Sequence, residues 1–416
     1  MTETEGEQSG WRLVLIGTLV SAIGSGLTLP FLVVYLHSIR HMSLPLAGVV
    51  VGFSGLTGLL TGAVGGILGD RLGVGRLLLG GLLVSGVATV ALADVRTPVF
   101  AMIVVALVGG GESVTWPALN ALVATQVASA NRPRAYALRF GVLNAGIGIG
   151  AIIAGSVVSL HRAASFELIY VIDGLTTLAF GVIIGFGLRR SPGFRAHSSA
   201  RLEDHQISAG YREVLADRRF LGWLIVTSLF AFFGYAMIDG GWAAYATVIV
   251  GATPRIVGIG FAANTGVIVV SQMFVVKLTR SWRRSCMLAG VGVVWMLAWL
   301  MAGLADIPGL THLSVDIALV LSLGIFGFGE TLLSPVAGAL PNDLAPEHLR
   351  SRYNALTSTA WSVGSIAGPP IAGLMLASSI PITWVVFVFI GSAIAGIVGL
   401  RLGRILPEEV ERPFLE

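Results

Sequence analysis

Four acidic side chains interrupt long apolar stretches of the sequence, and they are the residues best suited to chemistry. They are Glu112, Asp173, Asp239 and Glu330. A carboxyl group in a medium of low dielectric keeps its proton, and it releases that proton when water or a cation reaches it. We therefore predict that these acids bind protons or the charge of a substrate. The alternative that the residues leave open is a protonated acid that only donates a hydrogen bond to a neighbouring helix.

Two of the acids, Glu112 and Glu330, occupy matching places in the two halves of the chain. A proline follows each of them at the same distance, Pro117 after Glu112 and Pro335 after Glu330. Each acid lies about fifteen residues from the nearest polar loop, which at about 1.5 Å per residue corresponds to the middle of a bilayer. A charged side chain costs about 2.5–3.5 kcal/mol there. We expect the two carboxylates to face each other across a transport pathway.

Aromatic residues accompany these acids along the chain. Trp116 follows Glu112 by one helical turn, and the others are Tyr235, Trp242, Tyr245 and Trp361. The face of an aromatic ring attracts cations, so rings next to a carboxylate suit a lipophilic cation. We predict that these five rings line a substrate cavity. The alternative is plain packing, since aromatic residues are also common in membrane cores and interface belts.

Sequence patterns for enzymatic chemistry are absent. The chain has no phosphate-binding GxxxxGK[ST] loop and no serine nucleophile elbow, and its seven histidines and one cysteine lack metal-site spacing. We predict no catalytic residue, no metal site and no cofactor, and therefore a protein that is not an enzyme. A proton gradient is the energy source that the buried acids favour.

Hydrophobic residues make up 55% of the 416 residues and charged residues only 12%, about half the charge of a soluble protein. Apolar runs of about 20 residues or more are typical of helices that span a lipid bilayer. We predict an all-α membrane protein with twelve transmembrane helices. Their expected ranges are 12–36, 45–69, 76–94, 98–125, 133–160, 166–188, 219–249, 254–278, 284–304, 312–340, 351–378 and 382–404.

The basic residues indicate the orientation of these helices. With the N-terminus inside, the cytoplasmic segments hold 22 of the 26 Lys and Arg residues, including Arg139, and the other face holds Arg40, Arg96, Arg162 and Arg255. The positive-inside rule then predicts a multi-pass protein with both termini in the cytoplasm. These charges suit an anionic membrane surface better than nucleic acid. Arg outnumbers Lys 25 to 1, which is typical of a GC-rich bacterial genome. We therefore expect the protein in a bacterial cytoplasmic membrane.

The two halves of the chain repeat each other. At the spacing that separates Glu112 from Glu330, Gly146 matches Gly364, Gly150 matches Gly368 and Gly155 matches Gly373, and a slightly shorter spacing near the start of each half matches Tyr35 with Tyr245. We predict parallel six-helix bundles at 1–188 and 219–416, joined by a cytoplasmic loop at 189–218, with a central site between them. The alternative is a chance alignment of glycines, against which charge, proline and glycine positions agree at a fixed period.

The loop between the second and third spans resembles the signature loop of the major facilitator superfamily. Asp70, Arg71 and Gly73 match that family's pattern, whereas residues 74–75 replace its usual basic pair and Arg76 follows one place later. The resemblance implies the major facilitator fold and a network in which Asp70 and Arg71 latch the two halves on the cytoplasmic side. The alternative is a solvated turn whose arginines only set the orientation.

The fifth span, with Gly146, Gly150 and Gly155, resembles the glycine-rich antiporter motif of the same superfamily. The Gly-Pro pair that the family usually has there appears instead at Gly368 and Pro369 of span eleven. Glycine at every fourth position permits close helix packing, and proline kinks a helix. The resemblance implies the twelve-helix drug:proton antiporter branch. Span four lacks the arginine that many proton antiporters of the family carry.

Together these observations predict a monomeric secondary transporter that works by alternating access. Its expected function is proton-coupled multidrug efflux of lipophilic, often cationic compounds, with a small molecule, protons and the lipid bilayer as partners and without nucleic acid. One alternative is proton-coupled uptake or facilitated diffusion of a small polar solute. Another, from a different class, is a membrane sensor that has the fold of a transporter but does not transport.

Overall fold

The computed structural model describes residues 3–127, 131–188, 194, 207–279 and 281–412, and in these ranges the chain is helical without a strand. The prediction of an all-α protein is confirmed. The contacts between residues divide the chain into two units, Met1–Ala200 and Arg201–Glu416. Each unit contains six long helices, numbered here α1 to α12 along the chain.

The first unit contains α1 to α6. Their ranges are Glu3–Thr28 for α1, Leu44–Leu72 for α2, Val74–Leu92 for α3, Pro98–Gln126 for α4, Arg132–Val157 for α5 and Ala163–Leu188 for α6. Short turns at Leu29–Phe31, Leu32–Val34 and Tyr35–Ile39 extend α1. Ser43 and Thr97 cap α2 and α4 by accepting a backbone N–H with their hydroxyl oxygens, which satisfies donors that a helix start leaves free.

The second unit contains α7 to α12, preceded by a short helix, Ile207–Ala216. The ranges are Arg218–Phe230 for α7, Pro254–Leu278 for α8, Arg284–Leu304 for α9, His312–Leu344 for α10, Arg350–Leu376 for α11 and Ile382–Leu402 for α12. Three π-helical turns, Ala231–Tyr235, Ile238–Trp242 and Tyr245–Ile249, continue α7. The short helix lies where the sequence predicts a polar loop.

Eleven helices in the described part of the chain are long and apolar enough to cross a membrane. The remaining long helix, α11, covers the predicted span 351–378, but hydroxyl-bearing residues and Pro369 and Pro370 lower its hydropathy. The more polar α11 packs along α7 and its π-helical extension. These neighbours cover it, so it remains helical. The predicted spans therefore correspond to one helix each.

The same helix pairs pack in both units. In the first unit α1 packs on α5 and α6, α4 on α2 and α3, and α3 on α6. In the second unit α7 packs on α11 and α12, α10 on α8 and α9, and α9 on α12. Each pair of the second unit is the pair of the first with six added to both helix numbers. The predicted internal repeat is therefore a repeat of structure as well as of sequence.

One hydrogen bond recurs at the equivalent position of each unit. The Tyr35 hydroxyl donates to the Leu92 carbonyl oxygen at 2.7 Å, and the Tyr245 hydroxyl donates to the Ala302 carbonyl oxygen at 3.3 Å. Tyr245 follows Tyr35 in the sequence by the same number of residues as Ala302 follows Leu92. Both tyrosines are fully buried, where an unpaired hydroxyl would be costly. The bond thus ties the extension of α1 to the end of α3, and the extension of α7 to the end of α9.

Candidate functional site: carboxylates within the helices

In the first unit, Glu112 of α4 lines a cavity of about 250 Å³. Its side chain is exposed to this space and has no hydrogen-bond partner among the described residues. The hydroxyl-bearing residues Thr18, Ser21, Ser25 and Thr115 line the same cavity. A carboxylate among hydroxyl groups and open space is available to a ligand or a proton.

The face of α4 that carries Glu112 continues with Trp116 and Asn120. These residues are four apart, so they lie one above another on the helix. Trp116 is 49% exposed and also lines the cavity. The face therefore presents a carboxylate, an indole ring and an amide in succession.

Arg139 of α5 completes this site, although the sequence pattern placed it among the loop cations. One Nη of Arg139 donates to Asn120 Oδ1 at 2.6 Å, and the guanidinium carbon lies 4.7 Å from the centre of the Trp116 ring. Only 6% of Arg139 is exposed. Two features of the sequence could have indicated Arg139: it lies two turns inside a predicted helix, and the matching residue of the second half, Thr357, is uncharged.

Asp173 of α6 has a different environment. It is buried, and its Oδ2 accepts a hydrogen bond from the Thr28 hydroxyl at 2.5 Å, which joins α6 to the end of α1. It lies close enough to Glu112 for the two groups to interact electrostatically. The contact has the form of a hydrogen bond between helices, the alternative that the sequence left open for these acids.

In the second unit, Glu330 of α10 lies in a polar cluster. Its Oε2 accepts a hydrogen bond from Asn264 Nδ2 of α8 at 2.7 Å, and the Tyr235 hydroxyl lies close enough to interact with its carboxyl group. The exposed Asp239 interacts electrostatically with both Glu330 and Tyr235. The Trp361 ring lies against Tyr235, with 4.9 Å between their centres. Asn264 was not singled out from the sequence, although an amide within an apolar helix is a usable signal.

Two of the predicted cavity aromatics, Trp242 and Tyr245, lie instead in the core of the second unit. Both are fully buried. The Trp242 indole N–H donates to the Ser322 hydroxyl oxygen at 3.0 Å, and Tyr245 donates to Ala302 as described above. Buried Trp and Tyr usually find such a partner for their polar group. These two rings hold helices together and offer no surface to a ligand in this structure.

The glycines of α5 and α11 lie where two helices come closest. A side chain at Gly146 or Gly150 would meet the backbone of α1, and one at Gly364 or Gly368 would meet α7 or its extension. The contacted residues are Ala22 and Ile23 for Gly146, Ile23 and Gly26 for Gly150, Ala231 and Phe232 for Gly364, and Ala236 for Gly368. Pro369 packs against Gly240, and Gly155 is buried. These glycines permit α5 to pack closely on α1, and α11 on the extension of α7.

The predicted latch lies at the junction of α2 and α3. Gly73 has φ +84°, and its N–H bonds to the Gly69 carbonyl oxygen, so it ends α2 in a conformation that favours glycine. Arg71 and Arg76 are exposed. The side chain of Asp70 is outside the described part of the structure, and so is most of the predicted loop 189–218.

No group of three or more His, Cys, Asp or Glu residues in the described ranges is arranged to hold a metal ion.

A sequence model of the Major Facilitator Superfamily matches residues 14–251 and again residues 228–414. The first match covers the six helices of the first unit and continues through α7, and the second begins within α7 and covers the rest of the second unit. Together they cover most of the chain.

Three curated proteins resemble the chain at low identity. An uncharacterized MFS-type transporter YttB of Bacillus subtilis is 22% identical over 88% of each chain. A Na⁺, Li⁺, K⁺/H⁺ antiporter of Planococcus maritimus is 22% identical over 86% of this chain and 87% of its own. The multidrug resistance protein MdtG of Enterobacter lignolyticus is 23% identical over 43% of this chain and 44% of its own.

Solved transporter structures share the fold. The nucleoside transporter NupG superposes with a TM-score of 0.73 at 13% identity, covering 94% of this chain and 98% of NupG. The peptide transporter POT in complex with sulfate superposes with a TM-score of 0.73 at 17% identity, covering 97% of this chain and 95% of POT. At this identity the similarity concerns the fold alone.

Proposed function

The chain belongs to the major facilitator superfamily and is a multi-pass membrane transporter, not an enzyme, and we propose that it exports lipophilic, often cationic compounds in exchange for protons. In this proposal the protein is a monomer in the bacterial cytoplasmic membrane, with both termini in the cytoplasm. It works by alternating access, in which the two bundles, 1–188 and 219–416, move against each other so that the substrate site opens to one side of the membrane at a time. Asp70, Arg71 and Arg76 latch the cytoplasmic side, and the loop 189–218 joins the bundles.

The environment of Glu112 is the observation that carries this proposal. Its carboxylate lines a cavity, has no hydrogen-bond partner among the described residues and lies one helical turn from the exposed ring of Trp116. A carboxylate that is open to a ligand can hold either a proton or a cation, and the two compete for the same charge. Competition for one site couples the export of a cation to the entry of a proton.

The cluster around Glu330 supports a second titratable site. Glu330, Asp239 and Tyr235 interact with one another, so a proton gained by one acid changes the charge that the other group experiences. The named relatives include an antiporter that exchanges metal cations for protons and a multidrug resistance protein. The first name agrees with an exchange of cations for protons and the second with export of several compounds, and both are proposed here for this chain.

The second candidate function is transport of a small polar solute. The hydroxyl groups of Thr18, Ser21, Ser25 and Thr115 in the cavity favour it, because hydroxyl groups can exchange hydrogen bonds with a polar solute. The fold is also shared with nucleoside and peptide transporters. A nucleoside and a dipeptide therefore serve as the comparison solutes below.

Reconstitution into proteoliposomes with an acidic lumen tests the proposal. Protons that leave through the carrier should drive a lipophilic cation, tetraphenylphosphonium, into the lumen, and nigericin should abolish this uptake by collapsing the gradient. Liposomes without protein are the control. Uptake of tetraphenylphosphonium that ignores the gradient would refute coupling, and gradient-driven uptake of uridine or alanyl-alanine without the cation would favour the second candidate.

A further inference from the structure

Arg139 carries a buried positive charge that no described residue of the first unit neutralises. Its Nη1 donates to the neutral amide of Asn120, and its Nε has no hydrogen-bond partner. In the described ranges no carboxylate lies within ion-pair distance of it. A buried cation without a counter-ion is costly, so the fold retains a charge that it does not itself satisfy.

Two ordinary explanations for this arginine do not fit its surroundings. An arginine near the end of a membrane helix can extend its side chain to the interface, but Arg139 is only 6% exposed and lies about 10 Å along α5 from Arg132. Inheritance from the repeat does not explain it either, because the matching position of α11 is Thr357. The charge is therefore a feature of this site alone.

Arg139 and Glu112 line the same cavity. Glu112 and Trp116 are four residues apart on α4, which is a rise of about 6 Å, and the Arg139 guanidinium stacks on Trp116. The two charges are therefore about one helical turn apart along α4, with the Trp116 ring beside the guanidinium. The guanidinium group of Arg139, which lines the cavity, provides donors for an anion, since guanidinium groups bind carboxylates and phosphates strongly.

We propose that this cavity binds an amphoteric molecule, whose carboxylate or phosphate group binds Arg139 and whose ammonium group binds Glu112. The role of Glu112 rests on the proposed function, whereas the role of Arg139 does not. The proposed substrates thereby extend from lipophilic cations to compounds that also carry an anionic group about one helical turn from the cationic one. A soluble compound and the headgroup of a zwitterionic lipid share this chemistry.

Binding of three matched probes to the purified full chain in detergent tests the inference. Para-aminomethylbenzoate carries both charges, para-methylbenzoate only the anion and para-methylbenzylamine only the cation. Bound ligand stabilises the folded state, so the shift in Tm with probe concentration gives Kd. We expect the amphoteric probe to bind at least about tenfold more tightly than either singly charged probe, because it makes both charged contacts.

Variants assign each charge to its residue. Arg139→Gln should weaken the amphoteric probe and para-methylbenzoate by about tenfold or more and leave para-methylbenzylamine unchanged. Arg139→Lys, which keeps the charge, should retain much of the binding. Because Arg139 also stacks on Trp116, each variant is first checked for a single monodisperse species and a cooperative melting transition.

The outcomes separate this inference from the proposed function. If Arg139→Gln folds and binds para-aminomethylbenzoate as tightly as wild type, or if no probe binds the wild type, the inference is wrong. If the charge dependence holds but proteoliposomes show no proton coupling, the proposed function fails and the anion site remains. Displacement of the probe by dispersed phosphatidylethanolamine would support the amphoteric site and assign it to a lipid headgroup.

Discussion

Asn264 holds Glu330 by a hydrogen bond of 2.7 Å between Nδ2 and Oε2, and this bond has no counterpart in the other repeat. The residue that matches Asn264, at the spacing of Tyr35 from Tyr245, is Ser54, whose hydroxyl bonds within its own helix to the Val51 carbonyl oxygen. Glu112, which matches Glu330, therefore lacks the amide partner. Glu112 and Glu330 occupy equivalent positions but differ in their hydrogen bonds, because the neighbouring residue is Ser54 in one repeat and Asn264 in the other.

Glu112→Gln is expected to abolish gradient-driven uptake of tetraphenylphosphonium in proteoliposomes, because glutamine keeps the shape but cannot exchange a proton. Since Glu112 has no hydrogen-bond partner among the described residues, Tm should change by less than about 2 °C. Uptake at equal pH on both sides should become independent of pH. Gradient-driven uptake that survives in a folded Glu112→Gln protein would contradict the assigned role.

Asn264→Ala is expected to lower the free energy of unfolding by about 1–3 kcal/mol, the usual cost of leaving a buried acceptor without its partner. The loss occurs because the carboxyl group of Glu330 loses the Asn264 donor. Thermal denaturation in detergent measures it. Asn342→Ala is the control, since Asn342 lies on α10, the helix that carries Glu330, but its amide bonds to the backbone of its own helix and to Asn354. Equal Tm values for the two variants would contradict the prediction.

Asp173 is expected to act in packing and not in coupling. Thr28→Val removes the hydroxyl that donates to the buried Asp173 carboxylate, and it should cost about 1–3 kcal/mol of stability. Asp173→Asn retains an acceptor for Thr28 and should keep both the fold and gradient-driven uptake. If Asp173→Asn folds but loses uptake as completely as Glu112→Gln, Asp173 is a proton site after all.

The helices and their repeat could be predicted from the sequence because a bilayer constrains both. Backbone groups in lipid must bond within the segment, so a run of apolar residues specifies a helix of nearly fixed length. The constant spacing between matching residues of the two halves then indicated which residues are equivalent, and the bonds of Tyr35 and Tyr245 agree with it.

The partners of the site residues could not be predicted in the same way. The packing of α5 on α1 and α4, and of α8 on α10, decides that Arg139 meets Asn120 and that Asn264 meets Glu330. Distance along the chain also misled the interpretation of Trp242, which is near Asp239 in sequence but points into the core toward Ser322. Only the rotation of each helix about its own axis, which neighbours fix, separates these cases.

The aromatic residues of the second unit are expected to divide into two functional groups. Trp242→Phe removes the indole donor to Ser322 and should lower stability by about 0.5–1.5 kcal/mol, with KM for tetraphenylphosphonium unchanged. Tyr235→Phe removes a hydroxyl that lies near Glu330 and should instead change the pH dependence of uptake. Initial rates at several pH values measure both effects. A changed KM in Trp242→Phe with normal folding would place that ring in the substrate path.

Gly150→Val is expected to disrupt the first unit, because the new side chain would meet the Ile23 carbonyl oxygen and the Gly26 backbone of α1. Backbone cannot move aside as a flexible side chain can, so the cost should be at least about 1–3 kcal/mol. Gly141→Val is the matched control on the same helix, since a side chain at Gly141 would have no neighbour within 4 Å. Thermal melting and size-exclusion chromatography of the two variants should show a loss only for Gly150→Val. Similar Tm values for both would mean that α5 and α1 can separate without cost, and the close contact would then not explain the glycine stripe.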